Sequence, residues 1–211
     1  QMFNIYDQLN FGVRYLDIRV TPALGSGELL CTHSFVTIKL SLAFEHIKQF
    51  LTENPNEFII IETRYDPLYS THHKCNVRDL IDKYIAYFGL LVAEPISRSY
   101  IPTYNELIAT PGRIILFPYW NRSLLNIPWN DSFDPNVKFT LDSSTLHPNY
   151  GRFNGLSATV TPNIKEVIES VFDHQTIIGG TMLIRPLVYE YARKHLGVVT
   201  IFPTDFVDMA W

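Results

Sequence analysis

Two residues apart in an otherwise apolar stretch stand a carboxylate and a guanidinium, Asp17 and Arg19. The stretch Gly-Val-Arg-Tyr-Leu-Asp-Ile-Arg-Val, residues 12–20, alternates, so a strand there puts Val13, Tyr15, Asp17 and Arg19 on one side. Charges flanked by Tyr, Leu, Ile and Val are costly to bury without a partner or a purpose. Two readings fit. One is an internal ion pair that braces the sheet. The other is an anion site, with Arg19 stabilising phosphate charge and Asp17 fixing it. His33 closes the next apolar run, Leu-Leu-Cys-Thr-His, beside Thr32 and Ser34. Neighbouring strand ends lie about 5 Å apart in a parallel barrel. A guanidinium and an imidazole there can share one phosphate, the first neutralising charge and the second donating a proton. Glu62 and Arg64 repeat the alternation on a third run, and Asp205 follows an apolar run near residue 202. Read alone, Glu62 and Arg64 also fit solvated strand-end charges, and Asp205 fits a turn cap.

The elements that must carry these residues alternate along the chain. Residues 12–20, 29–33, 58–64, 113–117 and 198–202 read as strands, with 139–142 and 156–160 as short candidates. Residues 40–51, 77–90, 163–172 and 182–195 have helical spacing, and Pro102-Thr-Tyr-Asn-Glu begins another helix. Near-continuous apolar strands such as Phe-Ile-Ile-Ile, residues 58–61, suit burial on both faces. Strand–helix alternation of this kind indicates an α/β fold with a mostly parallel sheet. Polar residues at strand ends suit the mouth of a (β/α)8 barrel. No GxGxxG or P-loop supports a nucleotide-binding doubly wound sheet.

The whole chain, 211 residues and 46% hydrophobic, reads as a single domain over 1–211. A net charge of -4 argues against nucleic acid as a partner and against a polybasic membrane anchor. No apolar run reaches the roughly 20 residues of a membrane-spanning helix. Cys31 and Cys75 read first as free thiols, with a disulfide open to a secreted protein. Sequons at Asn121 and Asn130 fit a secreted, extracellular protein.

Three segments in order carry a resemblance. Residues 6–19, Tyr-Asp-Gln-Leu-Asn-Phe-Gly-Val-Arg-Tyr-Leu-Asp-Ile-Arg, come first, followed by Cys31-Thr-His33. Residues 50–61, Phe-Leu-Thr-Glu-Asn-Pro-Asn-Glu-Phe-Ile-Ile-Ile, come third. Together they resemble the X domain of phosphatidylinositol-specific phospholipases C of the bacterial, calcium-independent type. The resemblance is strong up to Asp66, weak from Cys75 to Gly197, and returns at the end around Asp205. It implies a distorted (β/α)8, TIM-like barrel. It implies cleavage of phosphatidylinositol or glycosylphosphatidylinositol to a cyclic inositol phosphate and diacylglycerol by two histidines acting as base and acid. Carried over, His33 is the general acid, Arg19 neutralises the phosphate, Asp17 is its partner and Asp205 orients the first histidine. Arg64, Asp66 and Glu62 fall at or beside inositol-binding positions, and Asp142 on an inositol contact. An arginine at position 19 repels a divalent cation, so no metal and no other cofactor is expected.

The first histidine of that family sits in a GTHDS-like motif on the first strand, and no such motif occurs here. The expectation is that the first strand is absent from this chain and that a second polypeptide supplies it with the base. Without that base, the alternative is an inositol-lipid-binding pseudoenzyme. A metal-dependent glycerophosphodiesterase ranks below both, for want of its HRG and ENT elements. A lipid substrate also needs an interfacial surface. The segment 118–129 carries Trp120, Trp129 and several aliphatic residues, and is read as the membrane contact of a peripheral protein.

Overall fold

The structure, a computed structural model, describes residues 3–23, 28–33, 35–65, 82, 86, 102–109, 111–117, 125–127, 130, 134–146, 153–155 and 177–195. The chain divides into two compact units, Phe3–Arg122 and, together with Gln1–Met2, Ser123–Trp211.

The first unit begins with a short helix, α1 (Ile5–Asn10), whose N-cap Asn4 accepts a hydrogen bond from the Asp7 amide at 2.9 Å. Phe11 and Gly12 end it. The Gly12 amide donates to Leu9 O at 3.0 Å, and its φ of 99° lies where a side chain is disfavoured. That turn launches β1 (Tyr15–Pro22). A hairpin, β2 (Leu29–His33) and β3 (Phe35–Lys39), follows, then α2 (Leu40–Glu53), β4 (Ile59–Tyr65), α3 (Tyr104–Ala109) and β5 (Ile114–Phe117). The strands form one sheet in the order β3-β2-β1-β4-β5.

The apolar spacing of α2 explains its packing. Leu40, Ala43, Phe44, Ile47, Phe50 and Leu51 recur at helical intervals and are all buried. They meet Leu16, Ile18 and Val20 of β1, Ile59 and Ile61 of β4, Ile114 of β5 and Leu9 of α1 in one core. Burying each large side chain contributes about 1.5–3 kcal/mol. Because successive strand residues face opposite ways, this core assigns the sheet's other face to Tyr15, Asp17, Arg19, Ile60, Glu62 and Arg64.

Two of the sequence patterns meet through Arg14 and Asn54. Arg14 donates from Nε to Glu57 at 2.8 Å, reaches the Leu9 carbonyl at 2.6 Å, and stacks over Phe50 at 4.7 Å. Asn54, at the end of α2, donates to Phe50 O at 2.9 Å and accepts from Arg113 at 3.0 Å through its own carbonyl. Gln8, Leu9, Gly12 and Arg14, with Phe50, Leu51, Asn54 and Glu57, therefore build scaffold. Asp17 and Arg19 of the same stretch remain for the opposite face.

In the second unit, β6 (Leu125–Asn126) pairs in parallel with β7 (Phe153–Asn154). Helix α4 (Pro135–Thr145) is capped by Asp134, which accepts from the amides of Asn136 and Val137 at 2.8 and 3.1 Å. It packs on α5 (Ile177–Lys194) through Phe139, Leu146, Ile184, Val188 and Tyr191.

The strand expected at 29–33 is present with those bounds, and the strands expected at 12–20, 58–64 and 113–117 and the helices at 40–51 and 182–195 are present with bounds moved by a few residues. Two expectations are corrected. The sheet is mixed: β1, β4 and β5 run parallel, whereas β2 is antiparallel to both β1 and β3. A single residue separates β2 from β3 in the chain, too few for a crossover between parallel strands, so the two pair antiparallel. Residues 139–142 are helical, within α4, because the Asp134-Pro135 start signal outweighs a short β-prone run. The elements expected at 156–160, 163–172 and 198–202 lie outside the described residues, as does 77–90 apart from helical positions 82 and 86.

Candidate functional site

Parallel pairing of β1 with β4 sets Asp17 opposite Glu62 and Arg19 opposite Arg64. Four of the polar side chains on this face form a chain of contacts. The Tyr15 hydroxyl donates to Glu62 Oε2. Arg64 Nε donates to Glu62 Oε1 at 2.9 Å and its Nη2 reaches Oε2 at 3.4 Å. The same Nε stands 3.3 Å from Asp17 Oδ1. Glu62 is wholly buried, at 0% exposure, while Asp17 and Arg64 keep about a quarter of their side chains in solvent.

The electrostatics follow from this order. Burial works to lower the Arg64 pKa, but the charges of Asp17 and Glu62 override it and hold the guanidinium above its ordinary value. Burial, reinforced by the Glu62 charge and hydrogen bond, keeps the Tyr15 phenol neutral well beyond its ordinary range. A carboxylate as buried as Glu62 is tolerable only with such partners.

Sequence reasoning put Asp17 with Arg19 on one strand. The structure instead pairs Asp17 across strands with Arg64. Among the described residues Arg19, half-buried, makes no ion pair. Asp17 and Arg64 are diagonal neighbours across the two strands, and the long Arg64 side chain, turned back onto Glu62, the register partner of Asp17, spans that offset. Tyr15 was missed as a site residue. Its signal was available, since it shares the period-2 face of Asp17 and Arg19.

His33 is placed by its backbone. It ends β2, the strand next to β1, two residues beyond the last β1–β2 pair, Val20 with Cys31. Cys31 is a free buried thiol whose pKa burial pushes up to about 12. Asp66, Trp120, Trp129 and Asp205 lie outside the described residues.

Asp142 has a different setting from the one expected of an inositol contact. It is wholly buried on α4 and pairs at 2.8 Å with Lys138, which is equally buried. Its other oxygen accepts from the Asn130 amide at 3.0 Å and from Asn130 Nδ2 at 2.8 Å, while Lys138 Nζ donates to Asn130 O at 2.7 Å. One backbone residue is thus held through both its polar groups. The nitrogen that a sequon at Asn130 would offer to a glycan is engaged in the same contact.

Comparison with known proteins agrees with the resemblance. The PI-PLC X family model, described as PI-PLC X 1, matches residues 1–134, so the chain belongs to the PI-PLC X family. It is similar to PI-PLC X domain-containing protein 3 of Homo sapiens, 26% identical over 99% of this chain and 69% of that protein. It is also similar to the 1-phosphatidylinositol phosphodiesterase of Listeria monocytogenes, 31% identical over 55% of this chain and 34% of that protein. The fold is that of a Staphylococcus aureus phosphatidylinositol-specific phospholipase C. The TM-score is 0.69 with 17% identity, covering 100% of this chain and 79% of the other. The Listeria monocytogenes enzyme superposes with a TM-score of 0.66 at 17% identity, over 98% and 78% of the two chains.

Proposed function

We propose that this chain is the X domain of a phosphodiesterase that cleaves phosphatidylinositol, or its glycosylated form, without a metal. The observation that carries the reading is the face shared by β1 and β4, where Arg19 stands beside the linked Asp17, Arg64 and Glu62 side chains, on the strand adjacent to the one that His33 ends. Arg19 binds the phosphodiester and absorbs charge as it develops. The inositol 2-hydroxyl attacks phosphorus, its proton passing to a base that none of these 211 residues matches by motif. The bond from phosphorus to the glycerol oxygen breaks, and His33 protonates that oxygen to release diacylglycerol. Arg64 and Asp66 hold inositol hydroxyls, and Asp205 orients the base. The strands close into a distorted barrel, completed by a segment carrying the base. Trp120 and Trp129 touch the membrane of a secreted, peripheral protein.

Phosphorus NMR on phosphatidylinositol vesicles, with the full-length polypeptide and with or without EDTA, tests this. A cyclic phosphate product that is insensitive to EDTA is expected. Binding without product supports an inositol-lipid-binding pseudoenzyme instead, and loss of product with EDTA supports a metal enzyme. His33→Ala lowers turnover roughly 10²–10⁴-fold. Unaltered turnover in that variant removes the acid assignment.

A further inference from the structure

The β1–β4 face holds two guanidiniums in direct register, Arg19 and Arg64, about 4.8 Å apart between strands. Left alone, two such groups form a site for a doubly charged anion, as paired arginines do for phosphomonoesters. Here they are made unequal. Arg64 turns back along its strand, its Nε lying 2.9 Å from Glu62 and 3.3 Å from Asp17. Glu62 is fixed in that position from the other side by the Tyr15 hydroxyl. Among the described residues, Arg19 is left as the guanidinium of this face without an ion partner.

We infer that Glu62, held by Tyr15, is a specificity-determining residue: by drawing Arg64 away it leaves one guanidinium to match a singly charged phosphodiester over a doubly charged phosphomonoester. The inference rests on the reading that a phosphate meets this face. The discrimination works through charge count. A phosphodiester carries one negative charge at any neutral pH, and a monoester carries nearly two above its second pKa of about 6. With Arg64 occupied, the second charge of a monoester finds no partner and loses its hydration for nothing. Glu62 therefore acts as a positioning residue through Arg64, and Tyr15 through Glu62.

The test uses two small probes, dimethyl phosphate and methyl phosphate, titrated at pH 8 into the full-length protein and followed by phosphorus NMR. The wild type binds dimethyl phosphate at least as well as methyl phosphate. Glu62→Gln keeps the side-chain shape but releases Arg64. Methyl phosphate then binds about tenfold tighter, as one added charge-assisted guanidinium contact supplies, and dimethyl phosphate changes little. The added Arg64→Gln substitution abolishes the gain. A Glu62→Gln protein with no gain, or a gain that survives Arg64→Gln, overturns the inference. If circular dichroism shows Glu62→Gln to be unfolded, Glu62→Ala, which removes both acceptor oxygens that hold Arg64, carries the same expectation and the same refutation. The two levels separate cleanly. A wild type that binds dimethyl phosphate but leaves phosphatidylinositol intact removes the phosphodiesterase reading alone. A wild type that cleaves the lipid while its variants gain no monoester affinity removes this inference alone, and one that binds neither anion removes both.

Discussion

Cys31 and Tyr15 show at the scale of single residues how position along one sheet separates packing from chemistry. Cys31 lies in the core beside Val20, and burial raises its pKa from 9.0 to about 12. Its folded form thus favours the neutral thiol more than the unfolded chain does. The stability it contributes is complete below pH 9 and is lost as pH rises from 9 towards 12, at about 1.4 kcal/mol per pH unit. Tyr15, also raised, adds to the same alkaline loss above pH 10. Urea unfolding across pH 8–11 checks this: Cys31→Val is expected to flatten the slope, and an unchanged slope counts against a buried neutral thiol. Tyr15, on the other face, spends its hydroxyl on Glu62 and so belongs to the site.

At the scale of elements, the clearest energetic statement concerns α4. Lys138 and Asp142 are four residues apart, both at 0% exposure, and both grip Asn130. Removing one partner strands the other charge in an apolar setting. Lys138→Met is therefore expected to destabilise the protein by about 3–5 kcal/mol, and Lys138→Met with Asp142→Leu to recover much of that loss. Chemical denaturation of the three proteins decides it. A single variant as stable as the wild type shows the pair to be dispensable. In the other unit, α2 does its work by periodicity, and Gly12 by conformation, since a φ of 99° sets the angle at which β1 leaves α1. Nothing lies within 4 Å of a Cβ built there, so backbone strain and not crowding favours glycine.

For the whole molecule, a net charge of -4 predicts how a lipid surface is reached. Net charge offers no long-range attraction to anionic lipid, so the proposed lipid contact rests on apolar and aromatic insertion together with headgroup recognition. Vesicle sedimentation is expected to show binding that is nearly insensitive to added salt and is weakened by Trp120→Ala and Trp129→Ala. A steep fall with salt points to an electrostatic anchor, and unaltered binding by both variants removes the insertion reading. Among the described residues no helix is long and apolar enough to cross a membrane.

Much was legible from local pattern because its physics is local. Helical spacing in residues 40–51 and alternation in residues 12–20 follow from backbone period, and they located α2, β1 and the face that carries Asp17 and Arg19. The motif residues Gln8, Gly12 and Asn54 likewise answer local backbone or capping needs, while Arg14 and Glu57 tie the two motif segments together by an ion pair. Partner choice was not legible. Whether Asp17 meets Arg19 or Arg64 depends on the register of two strands more than forty residues apart, and that register is decided by the core beneath them. The direction of β2 and the burial of Asp142 likewise depend on how elements come together. Sequence by itself determined which residues share a face; only the tertiary structure decided which of them touch, because a charge takes the nearest partner in space and not the nearest in the chain.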